Sequence, residues 1–120
     1  MKNSITILFS LIFFLAGAAK AEPLASCGPY TISSSNDGYA HINNVRPQSQ
    51  KFNFLGKDGD YSNVKYQWIL PDQSNGRWLG MDYVKRNGKA ILNVEAIRMK
   101  MNEPRLFWSY DCLKTNKRNL

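Results

Sequence analysis

The sequence predicts an all-β or β-dominated domain: a small, mostly antiparallel rolled sheet or barrel-like sandwich of about six to seven strands, its ends tied by one disulfide. Three observations carry this. First, Val64, Tyr66, Trp68 and Leu70 alternate with Lys65 and Gln67, and Leu106, Trp108, Tyr110 and Cys112 alternate in the same way. A period of two is the mark of a half-buried strand. Second, Asn87-Gly88 lies between two β-prone runs, residues 77–86 and 89–101. Asn-Gly is the pair best suited to positive φ at both centres of a hairpin turn. Third, the chain has two cysteines, Cys27 and Cys112, close to its two ends.

The elements follow in order. Lys2 opens a short basic region, residues 5–15 are almost continuously apolar, and Ala19-Lys20-Ala21 completes an Ala-x-Ala pattern. This reads as a secretory signal peptide over 1–21, leaving a single exported β-domain over 22–120. The apolar run is too short for a membrane span, and no transmembrane segment is expected in the mature chain. The expected location is periplasmic or secreted. Leu24-Ala25-Ser26-Cys27 also fits a lipobox, which would make the protein a lipoprotein anchored at Cys27. Lys20, Glu22 and Pro23 interrupt that box, and acylation would leave Cys112 unpaired, so a Cys27–Cys112 disulfide is preferred. Such a bridge is worth about 4.5 kcal/mol by chain entropy, a large share of a typical net stability of about 5–15 kcal/mol.

Residues 22–26 read as a lead-in. Residues 30–32 form a β-prone run that Pro29 can begin, and 33–38 a polar turn. Residues 39–45 suit a strand that Asn43-Asn44 weakens, and 46–50 a loop. Lys51 to Leu55 is a short strand with Phe52 and Phe54 on one face; 56–63 and 71–76 are loops. Residues 90–101 hold helix-tolerant side chains, but Ala90, Leu92, Val94 and Ala96 alternate, which favours a returning strand. Asn102-Glu103-Pro104 turns the chain, and 114–120 is a basic tail expected to fray. Trp68 and Trp108 are expected in the core, with Trp78 as the surface ring.

No catalytic, metal or cofactor constellation is expected. His41 is the single histidine, which rules out a three-histidine zinc site. Bridged cysteines leave no thiolate nucleophile. Asp58 and Asp60 flank Gly59 without the spacing of a calcium loop, and an Asp-Gly turn accounts for them. Glu95 and Arg98, three apart, point to opposite faces of a strand.

Charge says more. The formal net charge is +7, falling to +5 once Lys2 and Lys20 leave with the signal peptide. Outside the cytoplasm such a domain meets acidic proteins, anionic envelope glycans or lipopolysaccharide, and no nucleic acid is expected. Lys85, Arg86 and Lys89 gather at the hairpin tip, and Trp78 and Tyr83 are candidate aromatic anchors. Tyr66-Gln67-Trp68 followed by Gly76-Arg77-Trp78-Leu79-Gly80 resembles a ricin-type trefoil lectin in outline. The spacing departs from that family's Gln-x-Trp pattern and 99 mature residues are short for its three lobes, so no residue role is carried over. The leading expectation is a non-catalytic protein-binding domain: an inhibitor, immunity protein or accessory subunit. The alternatives are a glycan- or lipopolysaccharide-binding module, and a small hydrolase of an anionic polymer with His41 as base.

Overall fold

The computed structural model describes residues 22–114. The expected signal peptide, and the tail beyond Lys114, lie outside the described residues. Eight strands form one antiparallel sheet: β1 Glu22–Cys27, β2 Tyr30–Ser34, β3 His41–Ile42, β4 Ser49–Phe54, β5 Val64–Pro71, β6 Trp78–Arg86, β7 Lys89–Ala96 and β8 Leu106–Lys114. Their order across the sheet is β3-β2-β1-β8-β7-β6-β5-β4. The sheet curls into a half-barrel, so the expected fold class holds. The extra strand is β1, where the sequence suggested only a lead-in. Pro23 and the register shift between Pro23 and Ala25 hide its alternation, and Pro23 lies beyond the part of β1 that pairs with β8.

Two tight turns set the registers. At Asn87-Gly88 both residues take positive φ, 51° and 81°, as a type I′ hairpin requires. At Gly28-Pro29 the glycine supplies φ 61° at the first turn position, and a Cβ there would run into the Tyr110 ring. Asn43 and Asn44 also take positive φ and end β3 after two residues. The Asn43 side chain fixes that turn: its Oδ1 accepts from Thr31 N at 2.8 Å and its Nδ2 donates to the Pro29 carbonyl at 3.2 Å.

The inner face of the curl is the core. Ile32, Ile42, Trp68, Leu70, Leu79, Met81, Leu92 and Val94 are all buried, one face each of successive strands. Trp68 is 2% exposed and stacks on Tyr66 at 5.5 Å. Its Nε1 donates to Gln50 Oε1 at 2.8 Å. The same oxygen accepts from Ala40 N at 3.0 Å, while Gln50 Nε2 donates to the Gly38 carbonyl at 3.1 Å. One glutamine on the last strand of the sheet thus holds the loop before β3 at the other end, and a side chain joins the two ends where no ladder does.

Trp108 departs from expectation. It is 46% exposed, and Leu106 is 50% exposed, although both share a face with buried Leu92 and Val94. The cover supplied by β1–β3 stops too soon. β1 pairs with β8 only at Cys112, Leu113 and Lys114, and Tyr30 packs edge-on to Tyr110 at 5.9 Å. Beyond Tyr110 the inner face is open.

Cys27 and Cys112 are bridged and directly opposed, with Cα atoms 4.2 Å apart and a sequence separation of 85. Cys112→Ser should cost about 2–5 kcal/mol; a denaturant midpoint equal to that of the oxidised wild type would contradict it. Gly28→Ala adds a Cβ at positive φ and against a ring. It should cost about 2 kcal/mol, more than an ordinary surface substitution, in the same denaturant measurement.

Candidate functional site

The outer face of β4–β8 carries an open concavity. Its residues stand in rows set by the strand registers. One row runs Ser49, Ile69, Gly80, Glu95, Phe107, and the next Lys51, Gln67, Asp82, Asn93, Ser109. Gly80 leaves a dent in the first row. Ile97 leans toward it, its Cδ1 3.9 Å from where a Cβ on Gly80 would stand.

The alternation of 90–96 changes phase at Ile97, after which Ile97, Met99 and Met101 take the apolar positions, and the strand expected to run to Met101 ends at Ala96. Residues 97–105 instead fold over the outer face. Ile97 N donates to the Trp78 carbonyl at 2.9 Å. Glu103 then organises the loop, its Oε1 accepting from Met99 N at 3.0 Å and from Arg77 Nη2 at 2.6 Å. Those two bonds, the backbone one first, hold the Glu103 carboxyl below the usual carboxylate range. Arg105 meets Glu95 with two parallel bonds of 3.0 and 3.1 Å, which lower the Glu95 pKa.

The result is an open trough of about 770 Å³. Its floor is polar: Gln67 Nε2 donates to Asp82 Oδ1 at 3.1 Å and Ser109 Oγ donates to Asn93 Oδ1 at 2.6 Å. Its rim is exposed and mixed: Met101, 92% accessible, and Phe107, 64%, stand with Ile69, Ile97 and Met99 among Lys51, Arg98, Lys100 and Arg105.

The residues singled out from sequence are spread over the molecule. Lys85, Arg86 and Lys89 do gather at the β6–β7 turn. Trp78 begins β6, at the far end of that strand from the tip, and is exposed on the outer face beside Ile97. Tyr83 is on the inner face, tilted against Trp68 at 6.0 Å, and burial pushes its phenol pKa up, with Tyr66 adding to it. His41 Nε2 lies 2.9 Å from Asp37 Oδ2, and Arg46 Nε reaches the same oxygen at 3.2 Å. This exposed cluster lines neither the trough nor the smaller cavity beside Tyr30 and Leu70. Among the described residues no group of His, Cys, Asp and Glu is placed to hold a metal.

Sequence reasoning gave residues 97–108 no functional role, reading them as a strand to Met101, a turn and a last strand with Trp108 in the core. A signal was present: Phe107 and Trp108 fall on opposite faces of that strand, so one of the two rings must face away from the core.

No family model, no curated protein and no solved structure matches this chain. The fold and surface define a disulfide-tied half-barrel β-domain. Its bridge belongs to an oxidising, exported compartment. Among the described residues no helix is long and apolar enough to cross a membrane.

Glu103 gives the trough a pH response. A carboxyl with a depressed folded pKa contributes stability that is present above its unfolded value, about 4.3, and that is lost as pH falls through the folded value. Amide exchange at Met99, corrected for intrinsic rate, should therefore accelerate as the pH falls through that lowered value, while amides of β6 stay protected. Glu103→Gln should show the faster Met99 exchange already at neutral pH. Identical pH profiles in the two proteins would show that this carboxylate does not hold the loop.

Proposed function

We propose that this is an exported protein-binding domain, a periplasmic or secreted inhibitor, immunity protein or accessory subunit, that docks a folded partner over the outer-face trough. The observation that carries the reading is the rim itself. Ile97, Met99, Met101 and Phe107 are all exposed around one concavity. Contiguous exposed apolar side chains mark interaction sites. Methionine adapts its shape to a partner, and aromatic rings anchor one.

The rest of the surface supports the same reading. The floor offers hydrogen-bonding groups already paired with one another, so a docking partner need only cover them. Basic charge at Lys85, Arg86 and Lys89 lies away from the rim and suits long-range steering of an acidic partner. A glycan site would be served by stacked rings on one face, whereas Trp78 and Tyr83 lie on opposite faces. A hydrolase would be served by a base in a cleft, whereas the His41–Asp37 pair ties β3 to the turn before it and lines neither cavity.

Capture of partners from a periplasmic extract, followed by binding kinetics on the recovered protein, tests the reading. Met101→Ser with Phe107→Ser should weaken binding at least tenfold through faster dissociation, with unfolding little changed because both side chains are exposed. Replacing Lys85, Arg86 and Lys89 by Ala should slow association and flatten its salt dependence. Full capture by the Met101/Phe107 variant would overturn the docking surface, and binding lost only with Trp78→Ala would favour a sugar ligand.

A further inference from the structure

We infer that this chain pairs with a second copy of itself along the free edge of β8, antiparallel, with Trp108 against Trp108 across a twofold axis. The inference is independent of what the trough binds. β8 is nine residues long, and β7 covers one side of it at Leu106–Asp111 while β1 covers the other side only at Cys112–Lys114. On the β1 side, residues 106–109 face neither strand nor turn, and the Gly28-Pro29 turn abuts Tyr110.

The phase of that edge follows from both neighbouring turns. In a two-residue hairpin the flanking pair exchanges backbone hydrogen bonds, so Arg86 and Lys89 bond each other. Alternation then turns the backbone groups of Leu92, Val94 and Ala96 toward β8, where they meet Tyr110, Trp108 and Leu106. The Gly28-Pro29 hairpin gives the same answer. Cys27 bonds Tyr30, and its pairing with Cys112 is the close, non-bonded type, as a Cα separation of 4.2 Å requires. Both routes leave the N–H and C=O groups of Phe107 and Ser109 directed at the open side.

The other exposed strand edges are blunted. β3 is two residues long and stops at Asn43 and Asn44 with positive φ, and β4 carries Lys51. Short strands and lysines are how proteins discourage edge pairing. The free part of β8 has neither, and it exposes Leu106, Phe107 and Trp108.

A second copy fits better than another strand because the edge is complementary to itself. A continuous sheet requires inner-facing residues to oppose inner-facing ones. Setting Trp108 on itself places Leu106 opposite Tyr110, Phe107 opposite Ser109, and Arg105 toward Asp111, twice over. Phe107 and Ser109 then exchange the backbone bonds that the edge leaves open, and Arg105, already paired with Glu95, comes alongside Asp111 at both ends. Sliding one way by two residues sets Asp111 against Glu103. Sliding the other way sets it against Phe107 and Arg105 against Leu113. The register with Trp108 at the centre is the one that matches charge and apolar surface together.

Sedimentation equilibrium of the oxidised protein over about 1 µM to 1 mM should show a dimer that dissociates on dilution. Ser109→Pro removes an N–H that points away from β7, a place where a strand tolerates proline, so it should leave thermal unfolding near wild type and weaken the dimer at least tenfold. Arg105→Asp and Asp111→Arg each juxtapose like charges and should be monomeric. Mixed together they should form a heterodimer, since each chain then supplies the charge the other lacks. A wild-type chain monomeric throughout overturns the inference, and so does a dimer indifferent to Ser109→Pro. A mixture of the two charge variants that stays monomeric overturns the register.

Discussion

The Cys27–Cys112 bridge sits at the short joint that connects the two halves of the sheet. β1–β3 on one side and β4–β8 on the other meet through three residue pairs at the end of β8. Without a covalent tie, that short ladder would have to orient three strands against five. The bridge fixes where β1–β3 stand, and so decides how much of the inner face they cover. Tyr30 reaches Tyr110 and Ile32 and Ile42 enter the core with Trp68, but nothing extends over Leu106 and Trp108. The joint that closes the core also leaves the free edge. At the opposite end Gln50 answers the bridge, binding Trp68 and the loop before β3 with one amide.

Much of this was legible in the sequence, for a definable reason. Periodicity reports the face on which a residue stands, and Asn-Gly reports the turn, so β5, β6 and β8 and the register around residues 87–88 could be read directly. Two cysteines near the two ends made a bridge the preferred reading over acylation of Cys27, and the bridge is formed. Periodicity does not report what covers a face. Trp108 stands on the same face as the core-lining side of β7, yet its exposure depends on where the Gly28-Pro29 hairpin stops, a contact across 80 residues of chain. β1 escaped because Pro23 and a bulge break its alternation.

The end of β7 shows a different limit. Local pattern favoured a strand running to Met101, and the chain leaves the sheet at Ile97. The alternation changes phase between Ala96 and Ile97, and what holds the chain off the sheet beyond that break is a competition. Glu103 gains an arginine and a backbone N–H by folding the loop back, and Gly80, two strands away in space from β8, supplies the room for Ile97. The trough is therefore a product of one glycine, one carboxylate and the arginine on the strand entry before it. None of the three is a chemical motif, and a motif search has nothing to find.

The exposed apolar side chains gather at one end of the β6–β7 hairpin, and that placement bears on how both proposed surfaces work. The basic tip at Lys85, Arg86 and Lys89 lies at the other end, while Ile97, Met99, Met101, Leu106, Phe107 and Trp108 stand among Arg98, Lys100 and Arg105. A charged tip acts across about a Debye length, near 10 Å in ordinary salt, so it biases approach without setting the contact. The apolar end acts only on contact and sets how long a complex lasts. Pairing along β8 would place two outer faces side by side in one continuous sheet, since inner faces must match inner faces. Each trough would then lie beside its twin, with Phe107 of both copies facing the same way. A partner met by that double surface would be held by two sites at once, and a modest affinity at each would suffice.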